Sequence, residues 1–145
     1  LQQGGCYCKS LANAYSQAIS TIFTQEIKPL EVEILVVEVG DDRNSNAIYH
    51  ISFDGTITDY KGFVVLGGQS ERIKVFLQEH YKENLPLIDA LRLCKDALSR
   101  TGVEVPGHEL NLEVAVLERK RKGRKFRRLS REEIRVLLGE PQEPK

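Results

Sequence analysis

The chain has 145 residues, of which 21 are Lys or Arg and 21 are Asp or Glu, with 41% hydrophobic and 7% aromatic residues, three cysteines and no methionine. This length predicts one compact domain burying roughly 70% of its unfolded surface, and the composition excludes a disordered or low-complexity polymer. No apolar run approaches the roughly 18 residues that cross a bilayer and no signal-peptide pattern opens the chain, so a soluble protein is expected. A complete translation product begins with Met, whereas this chain begins with Leu1, which predicts a processed or truncated chain. Residues 1–9 read as an atypical start, 10–139 as the folded domain, and 140–145, with Pro141 and Pro144, as a flexible tail.

In chain order, Leu11, Tyr15, Ala18, Ile19 and Ile22 recur at helical spacing behind Ser10, which predicts an amphipathic helix capped by Ser10 and ending near Gln25, before Pro29. Residues 32–39 read as a strand, apolar on both faces except for Glu33 and Glu38, so a sheet covered on both sides is expected. A second strand over 47–53 reaches Asp54-Gly55, a strong hairpin signal, and returns through 56–60; Lys61-Gly62 then turns the chain into a fourth strand over 63–66. After Gly67-Gly68 the period changes to 3.6. Ser70 is the expected cap of a helix with Ile73, Phe76, Leu77 and His80 on one face and its end at Asn84. Pro86 fits the first turn of the next helix, whose stripe is Leu87, Ala90, Leu91, Cys94, Ala97 and Leu98, with Gly102 as its carboxy-terminal cap. Leu110, Leu112, Val114 and Val116 alternate as a strand paired with residues 125–129, and Ser130 with Glu133 forms a capping box for a last helix carrying Ile134, Leu137 and Leu138. The order α-β-β-β-β-α-α-β-β-α, with strands and helices in runs, argues for an α+β layered domain.

The balanced charge hides two unlike parts. Residues 119–131 hold nine Lys or Arg and no acid, so the remaining chain carries 12 basic against 21 acidic residues, a net of −9. A solvated hairpin tip around Gly123 is the stronger reading; an anion- or nucleic-acid-binding module through residues 119–131 is the alternative, and Phe126 is the one aromatic interleaved with the charges. Cys6 and Cys8 form a C-x-C pair, but His50, His80 and His108 stand singly, so no metal site and no cofactor are expected, and Cys94 is assigned to packing. Ser70, Glu71 and His80 fall short of an acyl-transfer set, because Ser and His lie two to three helical turns apart. The turn Gly67-Gly68-Gln69-Ser70 lacks the Lys and spacing of a phosphate loop and is assigned to close packing at the strand-to-helix turn.

Several blocks together resemble the actinobacterial proteasome α subunit family: Leu11-Ala12-Asn13-Ala14-Tyr15-Ser16-Gln17 leading to Ile22-Phe23-Thr24; Lys28-Pro29-Leu30-Glu31-Val32-Glu33; Ile51-Ser52-Phe53-Asp54-Gly55-Thr56; Phe63-Val64-Val65-Leu66-Gly67-Gly68; Asn111-Leu112-Glu113-Val114-Ala115-Val116-Leu117; and Phe126-Arg127-Arg128-Leu129. The resemblance implies a four-layer αββα sandwich of the Ntn-hydrolase type, present from its second helix to its last, with the early strands, first long helix and gate segment missing. It implies a non-catalytic α subunit that builds a heptameric ring with other α subunits and gates the entry of unfolded, tagged protein substrates. The implied neighbours are proteasome β subunits and an ATPase activator ring, in the cytoplasm, with no membrane and no nucleic acid. By resemblance the pore annulus loop is Gln25, Glu26, Ile27, Lys28, Pro29 and Leu30. The alternative of a β-type threonine peptidase needs a Thr at a free amino terminus, and the sole Gly-Thr junction, Gly55-Thr56, lies inside a predicted hairpin. No catalytic residue is therefore expected.

Overall fold

A computed structural model describes residues 4–25, 31–100 and 112–139. Its elements are α1 (Gly4–Gln25), β1 (Ile34–Glu38), β2 (Ala47–Ile51), β3 (Ile57–Tyr60), α2 (Ser70–His80), α3 (Leu87–Ser99), β4 (Ala115–Leu117), β5 (Phe126–Arg128) and α4 (Arg131–Leu138). Contacts cluster into two units, one from Leu1–Val64 with Leu117–Lys125, the other from Val65–Val116 with Phe126–Lys145. The mixture of helix and strand runs is the expected α+β class.

In the first unit, β1, β2 and β3 form an antiparallel sheet in that order. The register pairs Val36 with Tyr49 and Tyr49 with Asp59, and Ile34 with Ile51 and Ile51 with Ile57. With side chains alternating between faces, Ile34, Val36, Ala47, Tyr49, Ile51 and Ile57 share one face, and they pack with Cys8, Ala12 and Ile19 of α1. Ile51 is fully buried, and sequestering a side chain of this size contributes about 1.5–3 kcal/mol.

This packing corrects the expected helix. α1 starts six residues before Ser10, and its buried stripe is Cys8, Ala12 and Ile19, at i, i+4 and i+11, whereas Leu11, Tyr15 and Ala18 of the expected stripe are exposed. Burial of Cys8 against the sheet carries the helix past Ser10, whose cap is worth only about 1 kcal/mol. The expectation of a sheet covered on both sides also fails within this chain. Leu35 and Val37, on the face opposite α1, are 39% and 47% exposed.

The Asp54-Gly55 hairpin forms as the sequence predicts. Ser52 N–H donates to Thr56 O at 3.0 Å, Gly55 N–H to Ser52 O at 2.9 Å, and Asp54 Oδ1 accepts from Thr56 N–H at 2.9 Å and Ser52 Oγ–H at 2.6 Å. These bonds, led by the Ser52 hydroxyl, hold the Asp54 carboxyl down at about 2. Residues 63–66 form no strand: Gly62 takes φ +86° and Phe63 N–H turns back to Lys61 O at 3.2 Å, so the run leaves the ladder and stays irregular and half-buried.

In the second unit, Leu91, Leu129 and Ile134 form the core, with Val114, Val116, Leu137 and Leu138 against it. Gln69, not Ser70, is the N-cap residue of α2, without a side-chain cap bond, and the helix ends at His80 where Tyr81 turns extended; Asn84 follows in a left-handed turn at φ +65°. Pro86 occupies the N-cap of α3 rather than its first turn. Leu91 and Ala97 are buried as expected, but Leu87, Leu98 and Cys94 are exposed, which removes the packing role given to Cys94. Gly102 and Leu110 lie outside the described residues. Leu129 N–H donates to Val114 O at 2.8 Å, consistent with the expected strand pair.

The capping box of α4 forms in full. Glu133 N–H donates to Ser130 Oγ at 3.1 Å and Ser130 N–H to Glu133 Oε2 at 2.7 Å, while Gly139 closes the helix at φ +73°.

A Cβ at Gly55 would lie 2.6 Å from Ser20 Cβ and 2.7 Å from Ser16 O, at φ +87°, so Gly55→Ala should cost about 2 kcal/mol in urea unfolding. Ser130→Ala should cost about 1 kcal/mol. The Ser130 amide, then Arg127, lowers the Glu133 carboxyl below its ordinary 4.5, so its stabilisation is complete above that value and lost as pH falls through the folded value. Glu133→Gln should flatten the loss of melting temperature on acidification below about pH 4.5.

Candidate functional site

Of the six residues assigned to a pore annulus, Gln25 is the exposed last residue of α1, and Glu26, Ile27, Lys28, Pro29 and Leu30 lie outside the described residues. The supports at both ends of this segment are described. On the α1 side, Ser16 Oγ–H donates to Gly55 O, a contact 39 residues apart in sequence that ties the helix to the β2–β3 turn. One helical turn beyond Ser20, Phe23 meets Phe53 edge to face, with ring centroids 5.9 Å apart and planes at 61°. Thr24 Oγ1–H bonds back to Ser20 O at 3.0 Å and Thr21 O at 3.1 Å, carbonyls four and three residues earlier in the helix. On the strand side, Ile34 opens β1 paired with Ile51. The described elements on either side of residues 26–30, α1 and β1, thus belong to one packed unit.

None of the other candidate sets comes together as a catalytic site. Thr56 is exposed, with its amide and carbonyl both committed to the hairpin. Ser70 and His80 are ten residues apart on one helix, about 15 Å along its axis. His80 turns Nδ1 to Phe76 O at 2.8 Å, where a carbonyl can only accept and Nδ1 must carry the proton, and its ring stacks on Phe76 at 4.2 Å. Arg100 Cζ lies over the Phe76 ring, 4.3 Å from its centroid, which ties α2 to the end of α3. The glycines of the 67–70 turn do not serve close packing as expected: a Cβ at Gly67 or Gly68 meets nothing within 4 Å, and Gly67 is required instead by its φ of +111°. Cys8 is buried, and burial followed by the nearby Glu38 pushes its thiol up, which keeps it protonated and unsuited to ligation. The Cys6 side chain and His108 lie outside the described residues, among which no three His, Cys, Asp or Glu gather as a metal site. No described helix is long and apolar enough to cross a membrane.

The basic run proves divided in role. Arg119 reaches across 73 to 79 residues of sequence to donate to Gly40 O, to Asp42 O at 2.6 Å and to Asn46 Oδ1 at 3.0 Å. Lys125 donates to Arg119 O, and Glu118 N–H pairs with Lys125 O at 3.0 Å. The clamped loop is itself cross-linked, with Gly40 N–H on Asn46 Oδ1 at 3.2 Å and Ser45 N–H on Asp42 Oδ1 at 2.9 Å; these Ser45 bonds hold the Asp42 carboxyl low. Arg127 pairs with Glu133 at 2.6 Å and Arg128 with Glu113 at 2.8 Å. Arg119, Lys125, Arg127 and Arg128 therefore serve the fold, and the run is not one continuous anion site. Sequence reasoning missed Ser16, Gly55 as a docking point, and Arg119. Asp-Gly signalled the turn without saying what it touches, and Arg119 reads like its neighbours.

The proteasome subunit family matches residues 6–117. A proteasome subunit alpha of Parafrankia sp. (strain EAN1pec) is 44% identical over 140 residues, covering 91% of this chain and 57% of the relative. Its counterpart in Thermobifida fusca (strain YX) is 46% identical over 133 residues, covering 90% and 53%, and that of Streptosporangium roseum is 45% identical over 133 residues, covering 91% and 51%. The chain spans about half the length of these curated relatives.

The Arg119 clamp yields a direct test. Arg119→Ala should speed amide hydrogen exchange at Gly40 and Asn46 by about tenfold, with Arg119→Lys in between because a lysine cannot reproduce the guanidinium fork. Exchange in α4 should not change.

Proposed function

The chain belongs to the proteasome subunit family, and from that premise we propose that it serves as a non-catalytic α-ring subunit of a 20S core, assembling the ring and gating the entry of unfolded protein to a proteolytic chamber. The observation that carries this reading is the likeness to proteasome α subunits at 44–46% identity over nine-tenths of the chain. The commitment of Thr56 to a hairpin and of His80 to its own helix supports the non-catalytic assignment. In this reading the fold is the four-layer αββα sandwich, a layer arrangement supported by the α1-covered face of the sheet and the exposed Leu35 and Val37 opposite. In this reading Gln25, Glu26, Ile27, Lys28, Pro29 and Leu30 line the pore annulus, a reading supported by the flanking elements, α1 tied to Gly55 and β1 paired with Ile51. The partners are further α subunits in a heptameric ring, β subunits, an ATPase activator ring and tagged protein substrates, in the cytoplasm.

Co-expression of this chain with the β subunit of an actinobacterial proteasome, followed by native mass spectrometry, tests the proposal. The expected species are complexes containing both subunits in ring stoichiometry, and the chain alone should not turn over fluorogenic peptides. A chain that stays apart from the β subunit overturns the assembly role. Turnover blocked by a threonine-directed inhibitor would make it a β-type peptidase instead.

A further inference from the structure

The hairpin tip in the first unit is the most concentrated charge in the molecule. Six of its seven residues from 119 to 125 are cations, the exception being Gly123 at φ +73°, and residues 119–125 lie beyond the matched segment 6–117. Its base is fixed, with Arg119 on the carbonyls of Gly40 and Asp42 and Lys125 on the carbonyl of Arg119. Its apex is outward, with Lys120, Arg121, Lys122 and Arg124 all exposed. The nearby Asp42 carboxylate is bonded by the Ser45 amide and hydroxyl, at 2.9 and 3.1 Å. A braced apex loses little conformational freedom when it meets a ligand.

We propose that this tip docks an extended acidic peptide segment, rich in Asp and Glu, of a partner protein. Guanidinium and ammonium groups both suit carboxylates. Phe126 is the single aromatic side chain beside these cations, one ring where a run of bases needs several to stack on, which favours a peptide over single-stranded nucleic acid. The tip is clamped to the 40–46 loop, and the five residues of β1 put about 17 Å between that loop and the opposite end of the strand at Ile34.

Fluorescence anisotropy on the intact chain, with a labelled oligoglutamate peptide, tests the site. Binding should weaken about tenfold between about 50 and 300 mM salt, and Lys120→Glu with Lys122→Glu should weaken it at least about tenfold while leaving the melting temperature unchanged. Lys82→Glu, an exposed charge reversal in the second unit, should stay within about twofold of the parent. The proposal is overturned by absent binding at low salt, by an equal loss in Lys82→Glu, by an unaffected double variant, or by tighter binding of single-stranded DNA of equal charge.

Discussion

The first unit depends on the close approach of a β-turn to a helix. Gly55 carries a left-handed backbone, as the turn requires, and its missing Cβ leaves room for Ser16 O and the backbone and side chain of Ser20. The same approach brings the Gly55 carbonyl within reach of the Ser16 hydroxyl, so one residue meets a conformational and a steric demand at once. The helix is thereby fixed along its length relative to β2 and β3. Cys8 and Ala12 meet the sheet toward its start, Ile19 near the middle, and Phe23 meets Phe53 at the end. Small residues at positions 12, 16 and 20 allow the approach, while Ile19 and Phe23 supply the apolar area.

A second constraint is electrostatic and local. A hairpin tip with six cations would repel itself if every charge faced outward, and two of them are turned onto backbone carbonyls. Those carbonyls belong partly to the 40–46 loop, where Gly40, Asp42, Ser45 and Asn46 bond one another but leave main-chain acceptors for a long donor. Arg119 fits because its fork can bond Asp42 O and Asn46 Oδ1 through different nitrogens. The clamp explains how a strongly basic segment can be an integral part of an otherwise acidic chain.

Local rules made much of this legible. The Asp54-Gly55 turn, the Ser130–Glu133 capping box and the Ile134-Leu137-Leu138 face depend on residues within a few positions of one another, and each forms as the sequence predicts. Elements whose limits depend on distant partners were misplaced. The start of α1 depends on Cys8 finding Val36 and Ile51, and the extent of the run at 63–66 depends on a ladder partner that it does not have among the described residues. The stripe on α3 fails at Cys94 for the same reason, since helical spacing says which residues share a face and not how wide a neighbour is. Arg119 was hidden by composition. In a run of like charges, only the fold distinguishes those that turn inward.

The two faces of the first sheet carry the last step. One face is closed by α1, and the other presents Leu35 and Val37 beside Ile48, which pairs with Val37 across the strands. On the same face His50 pairs with Leu35 across the strands, with Nε2 3.5 Å from Glu33 Oε2 and its ring 6.1 Å from Tyr60. Apolar area left open on a sheet face is the pattern of a surface that packs against another layer. In the proposed sandwich that layer is a second sheet about 10 Å away, and strands apolar on both faces are what such a position demands. The near-continuous apolar run of β1, which a one-sided sheet would not require, is therefore explained by the proposed assembly rather than by α1 alone.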